Sequence, residues 1–479
     1  MSKGIVIQEI HMKKFYDSGR VHELRSLEEL YALEEFAFAV VYGRRRVGKT
    51  RLIGEFIGRG GKKAIRFTAT EDTDVINRER FSQSVFATYP ELSTLGSFPT
   101  WESAIEYVVK QARGEKLIIE IDEYPYLAKA NPAVSSEIQK CIDTTLQNAN
   151  ILLILCGSSM SFMENQVLGY QSPLYGRRTS QYKVMPLDYY DSAEFFGNAS
   201  FEDKLLGYAA AGGIPLYLNT IAKAATVRKG IERAFFTKDG FLYEEPQNLL
   251  KQELREPALY NSIIATIAGG STKLGETASK VKEEDSKVAK YIRSLIELGI
   301  LEKEVSMFAK NDRDGIYRIK DNMYRFWYRF VPGTVTLIEN GYEHIYEKRV
   351  ESFIPEYMGR VFETVCKQYL MRLNVKDKLP FLFDEIGRWW GGNPITKKEM
   401  EIDVVAASKD KLILGECKWK NKETGLEVYS GLKEKAAIFA DRDIHYFIFS
   451  KSEFTVGLKE EAEKNDRLTL VGLDDLFRA

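Results

Sequence analysis

The chain has 479 residues, with 68 Lys and Arg against 69 Asp and Glu, a formal charge of −1, 44% hydrophobic and 29% charged residues. That length exceeds what one core can organise and implies two to four domains. The balanced charge excludes wholesale wrapping of nucleic acid and leaves room only for a local basic face.

No apolar run of 18 or more residues occurs, so no spanning helix and no membrane partner are expected. The opening stretch MSKGIVIQEIHMKKF has no apolar core followed by a small-residue cleavage site, which makes cytoplasm the expected location. Cys141, Cys156, Cys366 and Cys417 are spaced for neither a zinc site nor a disulfide framework, and reduced thiols are expected. His11, His22, His344 and His445 are too scattered for a histidine metal site.

In chain order, FAFAVVY at 36–42 predicts a buried strand and KTRLIGEFIG at 49–58 the helix after it. Between them stands Gly43-x4-Gly48-Lys49-Thr50. The glycines would let backbone N–H groups converge on phosphate oxygens at a helix N-terminus, with Lys49 expected to reach the β and γ phosphates and Thr50 to ligate Mg2+. Arg44, Arg45 and Arg46 add positive charge to the loop or are simply solvated. KLIIEIDEYPYL at 116–127 predicts a second strand ending in acids, with Asp122 as the partner of Mg2+ and Glu123 as the base that orients water. A third apolar strand, ILLILCGSS at 151–159, ends in Gly157, Ser158 and Ser159, a polar tip suited to sensing the γ-phosphate or to capping a helix.

These motifs resemble the archaeal-type ATPases, an AAA+/STAND-like group of P-loop proteins. The resemblance implies ATP with Mg2+ as cofactor and a parallel-sheet α/β core, and it leaves a homo-oligomer open. It extends to GGIPLYL at 212–218, where Gly213 and Pro215 would lie near the base or sugar as part of a helical lid; a plain helix start with Pro in its first turn is the alternative. Arg177 and Arg178, in LYGRRTSQYKVMPL, offer an arginine finger, in cis or in trans, or a solvated pair.

Residues 246–303 predict successive helices, and GILEKEVSMFAKNDRDGIYRI predicts two strands around an Asn-Asp-Arg-Asp-Gly turn, the order of a winged helix-turn-helix. In its candidate recognition helix, 285–298, Val288, Ile292 and Leu295 share the core face and Lys287, Lys290 and Arg293 another stripe. Residues 273–303 carry seven basic and six acidic side chains, so DNA contact and interdomain packing both stay open. MYRFWYRFVPGTV at 323–335 suits a core helix better than base stacking, because aromatic stripes normally bury.

The last 120 residues predict a helix at 357–370, strands near 388–392, 400–408 and 411–420, a further helix and a strand, IHYFIFS. That order resembles the PD-(D/E)xK nuclease superfamily. Asp403 lies in one strand; Glu416 and Lys418 share one face of the next, with Cys417 turned to the core. Two converging carboxylates suit Mg2+ or Mn2+, and the lysine can position the attacking water. The resemblance adds Glu363 as a further metal acid. Ile402 stands where the superfamily has its proline.

The expected organisation is therefore a P-loop ATPase core at 1–190, a helical lid at 191–250, a winged helix-turn-helix at 251–322, a connector at 323–350 and a restriction-endonuclease-like α/β domain at 351–479. The expected function is ATP hydrolysis coupled to DNA binding and metal-dependent cleavage. The rival is a regulatory switch whose nuclease fold is silent and used for docking.

Overall fold

A computed structural model describes residues 19–92, 96–392 and 397–478. His11 and the rest of the opening stretch lie outside the described residues. The chain divides into two compact units, the first comprising 1–186 with 214–216 and the second 187–213 with 217–479.

The first unit is built on five parallel strands: β1 (Ala37–Tyr42), β2 (Ala64–Thr68), β3 (Leu117–Asp122), β4 (Ile151–Gly157) and β5 (Ser180–Lys183), in the order β2-β3-β4-β1-β5. The three central strands are buried along their whole length, and their sequences AFAVVY, LIIEID and ILLILCG are almost continuously apolar. Helices on both faces exclude water from a parallel sheet, so alternation is lost there. The edge strands β2 and β5 do alternate, because each keeps one exposed face. Since β1, β4 and β3 are neighbours and run the same way, the loops leaving their C-terminal ends come together. A core of aromatics and aliphatics, with Phe67, Phe81 and Trp101 in mutual ring contact, holds helices against this sheet.

The second unit opens with helices, among them Phe201–Ala211, Val227–Phe235 and Glu245–Glu253. Helices Pro257–Ala268, Leu274–Val281 and Asp285–Glu297 follow and lead into an antiparallel hairpin of β6 (Leu301–Glu304) and β7 (Ile316–Ile319). Val288, Ile292 and Leu295 are buried, joined by Tyr291. The aromatic stripe forms helix Asn322–Phe330, in which Tyr324, Phe326, Trp327 and Phe330 are buried. Phe326 packs on Phe235 at 4.9 Å, and the Trp327 indole donates to the Tyr243 carbonyl at 2.6 Å. These rings face protein, which removes the base-stacking alternative for them.

The long helix Ile354–Val375 then lies against a five-stranded sheet of order β12-β11-β10-β9-β8. Its strands are β8 (Glu385–Gly392), β9 (Glu399–Ser408), β10 (Lys411–Lys418), β11 (Asp443–Ser450) and β12 (Leu468–Val471). Strands β8, β9 and β10 pair antiparallel, while β11 and β12 continue parallel to β10. Helix Leu426–Ala436 connects β10 to β11, and helix Val456–Lys464 connects β11 to β12. The segment after the small hairpin is bound to the sheet edge: the Met307 N–H donates to the Arg388 carbonyl at 2.8 Å, and the Ser306 hydroxyl to the Trp390 carbonyl at 2.8 Å.

Candidate functional site

In the first unit the glycine loop joins β1 to helix Lys49–Gly58. Gly48 caps that helix with φ +97°, a conformation that any side chain would strain. A Cβ on Gly43 would lie 2.4 Å from the Val184 carbonyl oxygen, so only glycine lets the loop pass so close to the exit of β5. Lys49, 5% exposed, folds back over the loop and donates to the carbonyls of Gly43 at 2.9 Å and Arg44 at 3.1 Å and to the Ser158 hydroxyl at 3.0 Å.

The acids of β3 meet this loop. The Thr50 hydroxyl donates to Asp122 Oδ2 at 2.8 Å, and Asp122 Oδ1 accepts the Glu123 N–H at 2.9 Å. Glu123 takes a left-handed turn, φ +51°, at the N-cap of helix Tyr124–Ala130. Its carboxylate is held by Ser158, which donates its hydroxyl to one oxygen and its N–H, at 3.3 Å, to the other. Lys49, Thr50, Asp122, Glu123 and Ser158 thus form one connected cluster drawn from three neighbouring strand ends. A hydroxyl and a carboxylate side by side are hard oxygen donors that fit Mg2+, which keeps most of its shell for water and phosphate. Lysine and the N–H groups of a helix start fit the phosphates.

The other residues expected around the nucleotide have different surroundings, and Gly213 belongs to the second unit. Arg177 makes a bidentate pair with Asp143, at 2.8 and 2.7 Å, whose hydrogen bonds hold the Asp143 carboxyl below its usual range. Arg178 lines a shallow surface depression with Tyr175, Gly176 and Thr179. Arg45 donates to the Tyr126 hydroxyl at 2.7 Å. Pro215 opens helix Pro215–Ala222. Gly213 has no room for a side chain, since a Cβ would stand 1.9 Å from the Leu187 carbonyl oxygen. Sequence reasoning missed Arg20, which is 6% exposed and donates to the carbonyls of Val47 at 3.4 Å and Met185 at 2.7 Å, tying the back of the glycine loop to the exit of β5. No motif marks it; only the return of β5 beside the loop reveals it.

The second cluster lies in the second unit, where the β9–β10 ladder stops at Val404–Gly415. There the Asp403 carboxylate accepts the Cys417 N–H at 2.8 Å. Glu416 and Lys418 share a face, with Lys418 Nζ 2.7 Å from Glu416 Oε1, while the Cys417 thiol turns to that of Cys366. Burial, and then the charge of Glu416, push Asp403 up to about 7 against the pull of the Cys417 N–H. Glu363 is near enough to raise Asp403 further, yet its own carboxylate is 3.5 Å from the guanidinium of Arg388. Arg388, 3% exposed, also pairs with Glu304 at 3.1 Å and Glu401 at 2.7 Å. Among the described residues no three acid, histidine or cysteine side chains gather as a metal cage. Two carboxylates do gather, which is the number Mg2+ commonly takes from protein. Sequence reasoning missed both Arg388 and Lys435; the latter puts Nζ 2.8 Å from Glu416 Oε2. The one available signal for Arg388 was a lone arginine inside a strand.

Among the described residues no helix is long and apolar enough to cross a membrane. Residues 15–221 match the family model described as an ATPase domain predominantly from Archaea, and residues 327–430 match one described as archaeal and bacterial proteins of unknown function. The uncharacterized protein MJECL04 of Methanocaldococcus jannaschii is 34% identical over 463 residues, covering 95% of this chain and 99% of that protein. The Walker-type ATPase PABY2304 of Pyrococcus abyssi is similar over 65% of this chain and 95% of its own, at 19% identity and a TM-score of 0.49. Cdc6p of Pyrobaculum aerophilum is similar over 67% and 94%, at 14% identity and a TM-score of 0.33. At these values the two structures carry no assignment of ligand or partner. With a full-length relative of this identity, the chain belongs to the same family as MJECL04, and its residues 15–221 carry an ATPase domain predominantly from Archaea.

Proposed function

We propose that ATP binding and hydrolysis in the first unit control DNA engagement and metal-dependent DNA cleavage in the second. In this reading Lys49 and the loop N–H groups hold the phosphates, Thr50 and Asp122 hold Mg2+, Glu123 orients the attacking water and Ser158 senses the γ-phosphate. Arg178 is the better placed of the two arginines for a finger, because Arg177 is committed to Asp143. The helices Pro257–Ala268, Leu274–Val281 and Asp285–Glu297 with the β6–β7 hairpin act as the winged helix-turn-helix, with the exposed Lys290 and Arg293 toward phosphates. Residues 351–479 act as the nuclease-like domain, with Asp403 and Glu416 sharing Mg2+ or Mn2+ and Lys418 positioning water.

The observation that carries the cleavage reading is the meeting of Asp403, Glu416 and Lys418 where the β9–β10 ladder stops, on a mixed sheet flanked by helix Ile354–Val375. The test is plasmid nicking with Mg2+ and with Mn2+, each with and without ATP, for the wild type and Asp403→Ala. Nicking by the wild type alone supports the reading; none under any condition ends it. A specific observation favours a second reading, a regulatory switch with a silent nuclease fold: the Glu363 carboxylate lies 3.5 Å from the buried guanidinium of Arg388, a cation that would compete with a metal for it. ATP hydrolysis without nicking would select that switch.

A further inference from the structure

Glu416 is 7% exposed, and each of its oxygens receives an ammonium group: Lys418 on Oε1 at 2.7 Å and Lys435 on Oε2 at 2.8 Å. The two lysines reach it by different routes. Lys418 stands two residues along the same strand, so the strand period alone puts it there. Lys435 comes from the last turn of helix Leu426–Ala436 and meets Glu416 only through the packing of that helix on β10. One ammonium would balance Glu416, so the second can be released when another cation enters. A divalent cation between Asp403 and Glu416 would need an oxygen that a lysine now occupies. Lys435 is the one suited to leave. Its side chain is 25% exposed, and its stem can swing into solvent without disturbing a strand. Once displaced it would stand beside the cation, free to meet an anionic oxygen of a substrate.

We propose that Lys435 is a second functional lysine of the C-terminal site: counter-ion to Glu416 at rest, displaced by the entering divalent cation, and then the group that meets the phosphodiester. The proposal rests on the metal-dependent cleavage reading above.

The test uses the full-length protein, with Mn2+ binding to the nucleotide-free form followed by titration calorimetry and plasmid nicking followed at saturating Mn2+ with and without ATP. Lys435→Ala removes a competitor and a repelling charge, so Mn2+ should bind about three- to fivefold more tightly. Nicking should meanwhile fall by about tenfold or more, since a charge contact to the substrate is lost. Lys435→Arg should restore most of the nicking. Unchanged Mn2+ affinity together with unchanged nicking would reduce Lys435 to a surface ion pair and overturn the proposal. So would weaker Mn2+ binding and lost nicking with ATP hydrolysis intact, the mark of a purely structural support. Wild-type protein that neither binds Mn2+ nor nicks removes the cleavage reading and this proposal with it. Wild-type binding and nicking with an indifferent Lys435→Ala removes the proposal alone.

Discussion

Both charged clusters are built around lysine, but the acceptors that meet the lysines differ in chemistry. In the first unit Lys49 donates to two carbonyls and a hydroxyl, all neutral acceptors. In the second, Lys418 and Lys435 donate to a single carboxylate. Phosphate oxygens readily replace neutral acceptors because a charge-assisted bond is the stronger one. A carboxylate already paired with lysine yields only to a stronger cation. The first cluster is therefore suited to exchange its partners for an anion; in the proposed cleavage reading, the second exchanges one of its lysines for a metal.

The largest expected effect tests the first half of that contrast. Lys49→Ala should lower ATP turnover by about 10²–10³-fold, and Glu123→Gln by about 10²–10⁴-fold with ATP binding retained. Steady-state phosphate release beside equilibrium binding of a fluorescent ATP analogue measures both. Full turnover in Glu123→Gln would move the base to another residue. Neither change should alter Mn2+ binding in the second unit; a shared loss would break the separation of the two sites.

The second half is tested by pH. Asp403 titrates near 7 when folded and near the ordinary aspartate range when unfolded, so the folded state binds the extra proton between about pH 4 and pH 7. In metal-free protein stability should therefore fall as pH rises through that window. Asp403→Asn should remove the fall, leaving the variant more stable than the wild type at pH 8 by on the order of 1–3 kcal/mol and equal to it near pH 4. Chelated melting scans at the two pH values measure it, and parallel curves would show that Asp403 ionises freely.

Gly213→Ala should cost about 1–3 kcal/mol, because the new methyl would meet the Leu187 carbonyl. A melt with no shift would mean that this turn relaxes. The smallest effect concerns DNA. Replacing Lys287, Lys290 and Arg293 with Ala should flatten the salt dependence of duplex binding by about 0.9 per lost contact. Lys287 already pairs with Glu283 at 2.9 Å, so the change should reflect two contacts more nearly than three. An unchanged slope assigns this helix to packing.

Legibility followed burial. The three central strands of the first sheet could be read because full burial makes them continuously apolar. The edge strands β2 and β5, with exposed residues such as Arg66 and Gln181, gave no such run and went unread. In the second unit the core strands and the face shared by Glu416 and Lys418 were legible from period two. Glu363 was placed at the metal by resemblance; its carboxylate is near enough to Asp403 to act on it and lies 3.5 Å from Arg388, a neighbour that no local pattern announces.

Contiguous residues determined what the sequence alone could determine. The loop from Gly43 to Thr50, the acids closing β3 and the strand pair carrying Asp403, Glu416 and Lys418 each lie within one stretch, where the backbone period fixes which side chains share a face. Tertiary structure alone decided the partners that come from afar. Arg20 behind the glycine loop, Ser158 between Lys49 and Glu123, Arg388 on Glu363 and Lys435 on Glu416 are each brought in by a separate element. The order of strands and the packing of helices set those distances, and no local pattern of residues encodes them.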